Sequence, residues 1–275
     1  MNIKKLHLIY FSPSGSTEKV VRKIASAIPG LPVEAVDLLK PAARRKHYTF
    51  GPEDLVIFGS MTAGKLFTLS DELFACLEAH DTPFIGAITY GNTYYGIALK
   101  ELLQRAEGQG FRVAALGAFV SRHSMDTSIA EGRPDAQDEA VMLEFGRKAW
   151  EKVRSGDYEL HTMPKTSWTD WEMGRQVVAY REAHPDEPYA LPRECKAKEM
   201  SDACIQCGNC ARHCPTNAIN ITHKTFDLDK CIGCWACINR CPRHAITSTS
   251  KQVADIMGRL IGTAAKARLE PDILF

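Results

Sequence analysis

Ala203-Cys-Ile-Gln-Cys-Gly-Asn-Cys-Ala-Arg-His-Cys-Pro215 returns 27 residues later as Lys230-Cys-Ile-Gly-Cys-Trp-Ala-Cys-Ile-Asn-Arg-Cys-Pro242, and Ala218-Ile219 returns as Ala245-Ile246. Each copy reads C-x2-C-x2-C-x3-C-P. At that spacing a tight loop turns three thiolates toward one [4Fe-4S] cube while the fourth cysteine leaves on a short helix. Two copies predict two cubes and eight ligands: Cys204, Cys207, Cys210, Cys214, Cys231, Cys234, Cys237 and Cys241. Only Cys76 and Cys195 lie elsewhere. A zinc site would show separated C-x2-C pairs or a Cys/His mixture. Disulfides fit poorly with a chain that shows no export signal.

Between the ligands, Pro215 and Pro242 turn the chain, and Ile205, Ile219, Ile232 and Ile246 are spaced as an apolar jacket that keeps water off the cubes. Arg212, His213, Arg240, Arg243 and His244 flank the fourth cysteines. Their charge either receives an acidic partner, raises the cluster potential, or compensates two anionic clusters. The segment resembles the bacterial-type two-[4Fe-4S] ferredoxins, small α+β units, over residues 199–250. In those proteins the fourth cysteine ligates the other cluster. The resemblance therefore implies one quartet of Cys204, Cys207, Cys210 and Cys241 and another of Cys231, Cys234, Cys237 and Cys214.

Outward from this segment, residues 1–160 alternate short apolar runs with amphipathic stretches. These are Leu6 to Phe11, Thr17 to Ile28, Val33 to Asp37, Asp54 to Met61, Leu69 to Ala79, Pro83 to Gly91, Ile97 to Glu107, Phe111 to Val120 and Gln137 to Arg154. Repeated βαβ order, with strands that lack polar alternation, predicts an α/β domain built on a parallel sheet covered on both faces. Five strands suit the doubly wound, flavodoxin-like order 2-1-3-4-5, whose ligand crevice lies beyond the carboxyl ends of strands 1, 3 and 4.

Strand 1 runs into Ser12-Pro-Ser-Gly-Ser-Thr17, a hydroxyl-rich turn that opens a helix. Such a turn favours a phosphate, although Ser-x-Ser-Gly turns also serve as plain N-caps. It is neither a Walker A loop nor G-x-G-x-x-G, so no nicotinamide site is expected. The turn resembles the phosphate loop of flavodoxins, which implies FMN held by Ser12, Ser14, Ser16 and Thr17, with Gly15 allowing close approach. Strand 3 runs into Gly59-Ser60-Met61-Thr62-Ala63-Gly64-Lys65-Leu66-Phe67. Strand 4 runs into Thr89-Tyr90-Gly91-Asn92-Thr93-Tyr94-Tyr95-Gly96. Both are positioned like the flavodoxin loops that hold the isoalloxazine ring. The resemblance implies ring contacts from Ser60 to Gly64, Phe67, Thr89 to Asn92, Tyr94 and Tyr95, with Tyr94 or Tyr95 stacking on the ring and Phe67 behind. Loop packing is the alternative role of each aromatic. Strand 5 ends in Ser121-Arg122-His123-Ser124 on the same edge. There Arg122 is the candidate to stabilise an anion and His123 to donate a proton; facing solvent or capping a neighbour is the alternative for both.

Residues 161–198 read as a connector with one helix over Thr169 to Glu182, on which Trp168 and Trp171 share a face at the domain interface. Residues 251–275 read as a docking helix, Val253 to Arg268. Cys76 belongs to an apolar run and is a core residue; Cys195 is a free thiol.

Taken whole, the chain resembles the fusion family in which a flavodoxin-like FMN domain precedes a two-cluster ferredoxin. The resemblance implies traffic between one-electron carriers and a flavin. Two roles follow: a low-potential electron-transfer protein serving a partner redox enzyme, or an FMN-dependent reductase of a small-molecule acceptor fed through its own ferredoxin domain. A redox sensor would need an output domain that the sequence does not show. The composition is that of a globular protein, 45% hydrophobic and 24% charged. A net charge of +1 gives no argument for nucleic acid, and no apolar run is long enough to span a bilayer. A cytoplasmic, oxygen-sheltered setting is expected.

Overall fold

The computed structural model describes residues 2–263 and 267–275. The apolar runs of the first half become five parallel strands: β1 (Lys5–Tyr10), β2 (Val33–Asp37), β3 (Asp54–Met61), β4 (Thr82–Tyr90) and β5 (Phe111–Val120). Their order in the sheet is β2-β1-β3-β4-β5, the flavodoxin-like doubly wound arrangement. The central strands are buried along nearly their whole length, which is why they read as continuous apolar runs.

One face of the sheet carries helices α1 (Ser16–Ala25) and α3 (Ala136–Ser155) over a core of Leu6, Leu8, Val20, Ile24, Ile57, Phe119 and Phe145. The other face carries α2 (Ala98–Gly108) and the short helix Ser70–Ala75 over Ile9, Phe58, Phe84, Leu99 and Leu102. Asp135 caps α3 by accepting the amides of Gln137 and Asp138, and Asp138 accepts the amide of Asp135 in return.

The sheet has a sixth strand. Asp272–Leu274 (β6) pairs antiparallel with β5, so the C-terminal segment does more than supply a docking helix. Without β6 the edge of β5 would be an unpaired row of backbone groups. The final helix runs Lys251–Thr263, here α5. The part of its expected course at 264–266 lies outside the described residues.

The connector helix, α4, starts at Glu172 and ends at Ala183. Trp168 and Trp171 therefore precede it and share no helical face. Trp168 is half exposed, while Trp171 is partly buried against the interface.

The ferredoxin-type unit is small: two short helices, Asn209–Arg212 and Ala236–Asn239, and two two-stranded ribbons, Ile219–Asn220 with Thr225–Phe226 and Lys198–Met200 with Ile246–Ser248. Its internal repeat extends to the backbone. Left-handed residues fall at Gln206 and Gly233, Gly208 and Trp235, and Asn217 and His244, each pair 27 apart. Among the described residues no helix is long and apolar enough to cross a membrane.

Candidate functional site

The eight repeat cysteines divide into two sets. Cys204, Cys207, Cys210 and Cys241 line one small cavity with Ile205, Ile221 and Ile246. Cys214, Cys231, Cys234 and Cys237 line another with Ile219, Ile232, Phe226 and Trp235. Each set takes three cysteines from one copy and the fourth from the other, which is the division that the ferredoxin resemblance implies. Among the described residues no three His, Cys, Asp or Glu groups converge on a single ion; each quartet surrounds a cavity instead.

Backbone amides donate to the sulfurs in matching positions: Gln206 to Cys204 Sγ and Gly233 to Cys231 Sγ at 3.4 Å, Ala218 to Cys214 Sγ at 3.2 Å and Ala245 to Cys241 Sγ at 3.3 Å. The left-handed residues of each copy create these turns, and such N–H···S bonds favour thiolate over thiol. Lys198 adds its ammonium 3.4 Å from Cys231 Sγ. Burial pushes the thiols of Cys234 and Cys237 up to about 12, so as free thiols both hold their protons and a bound cluster must displace them. Donor set and amide placement both fit an iron–sulfur cluster.

At the carboxyl edge of the parallel sheet the three loops singled out in the sequence come together. The Met61–Phe67 loop meets the Gly91–Gly96 loop directly: Gly64 accepts the Ile97 amide at 2.9 Å, and a Cβ on Gly96 would lie 2.0 Å from the Gly64 carbonyl. Gly96 has φ +58, so only glycine suits it on both counts. The Lys65 side chain, almost wholly buried, donates to the carbonyls of Pro185 and Glu187 at 2.6 and 2.8 Å, fixing the first loop to the connector.

Beside this junction lies a mainly apolar cavity of about 280 Å³. Met61, Thr62, Ala63, Gly64, Phe67, Tyr90, Gly91 and Tyr94 line it from the loops. Trp171, Met173, Val177 and Arg181 close it from the connector, as do Val253, Met257 and Leu260 from α5. Thr62 Oγ1 is buried in this wall with no hydrogen-bond partner among the described residues. An apolar slot with one orphaned hydroxyl fits the ring of a flavin, which is flat and has one polar edge.

Ser14 and Ser16 face a neighbouring groove of about 620 Å³ with Lys19, Arg22 and Arg122. Ser12 Oγ accepts the Glu18 amide at 3.0 Å, and Thr17 Oγ1 is paired with Thr89 Oγ1 at 2.8 Å in the core. The hydroxyls at 14 and 16 therefore face the groove, while those of Ser12 and Thr17 brace the loop. Ser60 bonds the Met61 carbonyl.

The two tyrosines in the strand 4 loop separate. Tyr94 lines the cavity, and burial pushes its hydroxyl up to about 12. Tyr95 packs edge-on against Tyr90 and donates to Asp272 of β6. Asn92 is likewise tied to the C-terminal segment: its Nδ2 donates to Ala267 O at 2.8 Å, and its Oδ1 accepts the Leu269 amide at 3.0 Å. Both residues clamp β6 against the loop.

Arg122 and His123, just beyond β5, also part. Arg122 is exposed over the serine groove, whereas His123 lines the apolar cavity. The His123 ring covers Gly91, where a Cβ would come within 2.2 Å of it. Its Nδ1 accepts the amides of Met125 and Asp126 at 3.2 and 3.3 Å. Burial lowers its pKa to about 4, so the ring is neutral near pH 7 and Nε2 carries the proton. It can offer a hydrogen bond but not a charge.

The cation on the cavity wall is Arg181, which the sequence reading missed. It lies over Tyr189 and Tyr180, and its Nε is buried with no hydrogen-bond partner among the described residues. Cys195 is a buried wall residue of the same cavity. No motif marked either one; only the packing of α4 and the Pro-rich segment brings them here. Cys76 is buried in the core, as expected.

A scan against protein families matches residues 196–242 to the 4Fe-4S dicluster domain. Comparison with curated proteins gives no match. Among solved structures, similarity extends to the flavodoxin-like domain of a Synechococcus sp. protein, with 16% identity, 55% of this chain and 99% of that chain covered, and TM-score 0.36. An oxidoreductase from Corynebacterium diphtheriae has 14% identity, 57% and 99% coverage and TM-score 0.38. The flavodoxin of Streptococcus pneumonia TIGR4 has 11% identity, 54% and 98% coverage and TM-score 0.36. Likenesses this weak carry no argument, and the fold rests on the strand order itself. The chain thus joins a flavodoxin-like α/β domain to a 4Fe-4S domain, an arrangement suited to redox electron transfer.

Proposed function

We propose that this protein moves low-potential electrons between two [4Fe-4S] clusters and FMN, and exchanges them with a separate redox enzyme. Cys204, Cys207, Cys210 and Cys241 would hold one cluster and Cys214, Cys231, Cys234 and Cys237 the other. Ser14 and Ser16 would hold the FMN phosphate, with Thr62, Phe67, Gly91 and Tyr94 around the ring. One observation carries this reading: Gly233, between ligands Cys231 and Cys234, also lines the cavity framed by the strand 3 and strand 4 loops. The loop that carries Cys231 and Cys234 thus also reaches the ring site, so electrons need no mobile carrier between them.

The clusters and flavin supply the electron chemistry, and the chain sets spacing and excludes water. The test is anaerobic stepwise reduction of the purified protein, followed by optical and EPR spectra and by iron, sulfide and flavin analysis. Two cluster signals and a flavin that reduces in separate one-electron stages, with slow reaction toward small acceptors, are expected. Fewer than two clusters, or no flavin, would overturn the proposal.

A second reading is an FMN-dependent reductase of a small-molecule acceptor. It is favoured by the cover that α4 and α5 place over the cavity, and by the unpartnered Arg181 Nε in its wall. Rapid two-electron turnover of one quinone or nitro compound, abolished by Arg181→Met with flavin retained, would select this reading over the carrier.

A further inference from the structure

Arg240 precedes the cluster ligand Cys241, yet its side chain lies in the Ser12–Thr17 loop. Its Nε donates to Pro13 O at 2.6 Å and its Nη2 to Ser12 O at 2.9 Å. A Cβ built on Gly15, which has φ +91, would sit 3.6 Å from Nη2, so the guanidinium covers the crown of the turn. A loop that binds an anion must turn its carbonyls away and its amides outward. Here the Ser12 and Pro13 carbonyls are drawn onto Arg240, and the amides of Ser14, Ser16 and Thr17 have no acceptor among the described residues.

Charge points the same way. Nearby Arg22, Lys23 and Arg133 are paired with Glu18, Glu139 and Asp138. Arg240 has no carboxylate partner among the described residues, and it is held in place where Lys19 and Arg122 are exposed. Its backbone belongs to the iron–sulfur unit: Asn209, next to Cys210, donates from Nδ2 to Arg240 O, and the Arg240 amide bonds Ala236 O.

We infer that Arg240 is a positioning residue which the iron–sulfur domain lends to the phosphate loop of the flavin domain, so that affinity for a phosphomonoester depends on the cluster site of Cys204, Cys207, Cys210 and Cys241. This rests on the FMN reading above. The charge of Arg240 and the carbonyls it holds both favour a dianion in the loop, and neither contributes to binding the ring.

The test uses full-length protein depleted of flavin, with iron measured before and after, titrated anaerobically with FMN and with riboflavin by fluorescence quenching. The unaltered protein is expected to prefer FMN. Arg240→Met should weaken FMN binding by about 10- to 100-fold, the scale of a hydrogen bond to a charged group, and leave riboflavin unchanged. Arg240→Lys, which keeps the charge but not the fork, should lose about tenfold or less. FMN affinity equal to that of the unaltered protein in the iron-retaining Arg240→Met variant would overturn the inference, as would equal losses for both flavins. Cys204→Ser should weaken FMN in the same direction; no change there would overturn the dependence on the cluster site. Equal affinity of the unaltered protein for FMN and riboflavin would instead overturn the FMN reading.

Discussion

The two copies of the cysteine motif are nearly the same in sequence but occupy different surroundings. In the first, Ile205 is 61% exposed and Cys207 is exposed. In the second, Cys234 and Ala236 belong to the main core of the α/β domain, and Ile232 packs against it. The sharpest difference falls at one register position. Gly208 holds φ +73 in the first copy; Trp235 holds φ +62 in the second. A left-handed tryptophan is strained by about 1–2 kcal/mol. The strain persists because the buried indole packs with Ile129, Val253, Met257 and Leu260, a layer that joins the cluster loop to α5. A motif built for symmetric ligation has thus been made asymmetric by docking, with one copy facing solvent and the other facing the flavin-domain cavity.

The largest expected effect separates the ligands. Cys234→Ala should abolish the inner cluster and lower the thermal stability of the whole protein, because its side chain is part of the main core. Cys207→Ala should leave about four iron atoms per chain and a folded flavin domain. Iron and sulfide analysis beside thermal unfolding distinguishes them, and equal losses in the two variants would break the comparison.

Next comes position 235. Truncating a buried Trp costs about 3–5 kcal/mol, offset by about 1–2 kcal/mol of released strain. Trp235→Gly should therefore destabilise by about 1–4 kcal/mol in denaturant titration. At the matching site Gly208→Ala should cost about 1–2 kcal/mol, chiefly backbone, its Cβ meeting only the end of the Arg212 side chain at 3.2 Å. A neutral Trp235→Gly would mean that the indole layer contributes nothing.

The loop carrying His123 supports the inner copy, since Asn239 Nδ2 donates to Ser124 O at 2.9 Å. The pKa of His123 is lowered to about 4 in the folded protein against about 6.5 in an unfolded chain. Between those values the unfolded state binds more protons, so stability is full above about pH 6.5 and falls as the pH drops toward 4. Allowing for partial exposure, the loss is about 1–2 kcal/mol. It should shrink in His123→Asn, whose side-chain oxygen can accept the same amides. Unfolding midpoints at pH 7 and pH 5 check this, and a slope unchanged by the substitution would remove His123 from the account.

The smallest effect belongs to the exposed copy. Ile205→Gln should leave iron content and stability within about 0.5 kcal/mol, yet slow electron exchange with a partner protein if that face is the docking surface. Unfolding curves and stopped-flow kinetics read the two halves of this expectation separately.

Much of the architecture was legible before the structure. Central parallel strands are buried on both faces and leave unbroken apolar runs, so β1, β3, β4 and β5 could be read directly, and the strand order is the flavodoxin-like one expected. The cysteine spacing is local, and the eight cysteines line two cavities, each with three from one copy and one from the other. Legibility ended where contacts are long-range. Tyr94 and Tyr95 are neighbours, and nothing local says that Asp272 takes the second away from the cavity. Arg122 and His123 are neighbours beyond β5 that line different cavities. Arg181 and the strand Asp272–Leu274 carry no motif, and Arg240, read in the sequence only as flanking a cysteine, reaches Ser12 and Pro13.

By itself the sequence determined what is encoded over a few residues: strand period, the turns that open the crevice, and the spacing of the repeated cysteines. Only the tertiary structure decided which copy of the motif lies inside, which tyrosine faces the cavity, and which arginine reaches the Ser12–Thr17 loop. Those outcomes depend on how whole elements pack against one another, and buried area and charge pairing between distant segments leave no periodic mark on the chain.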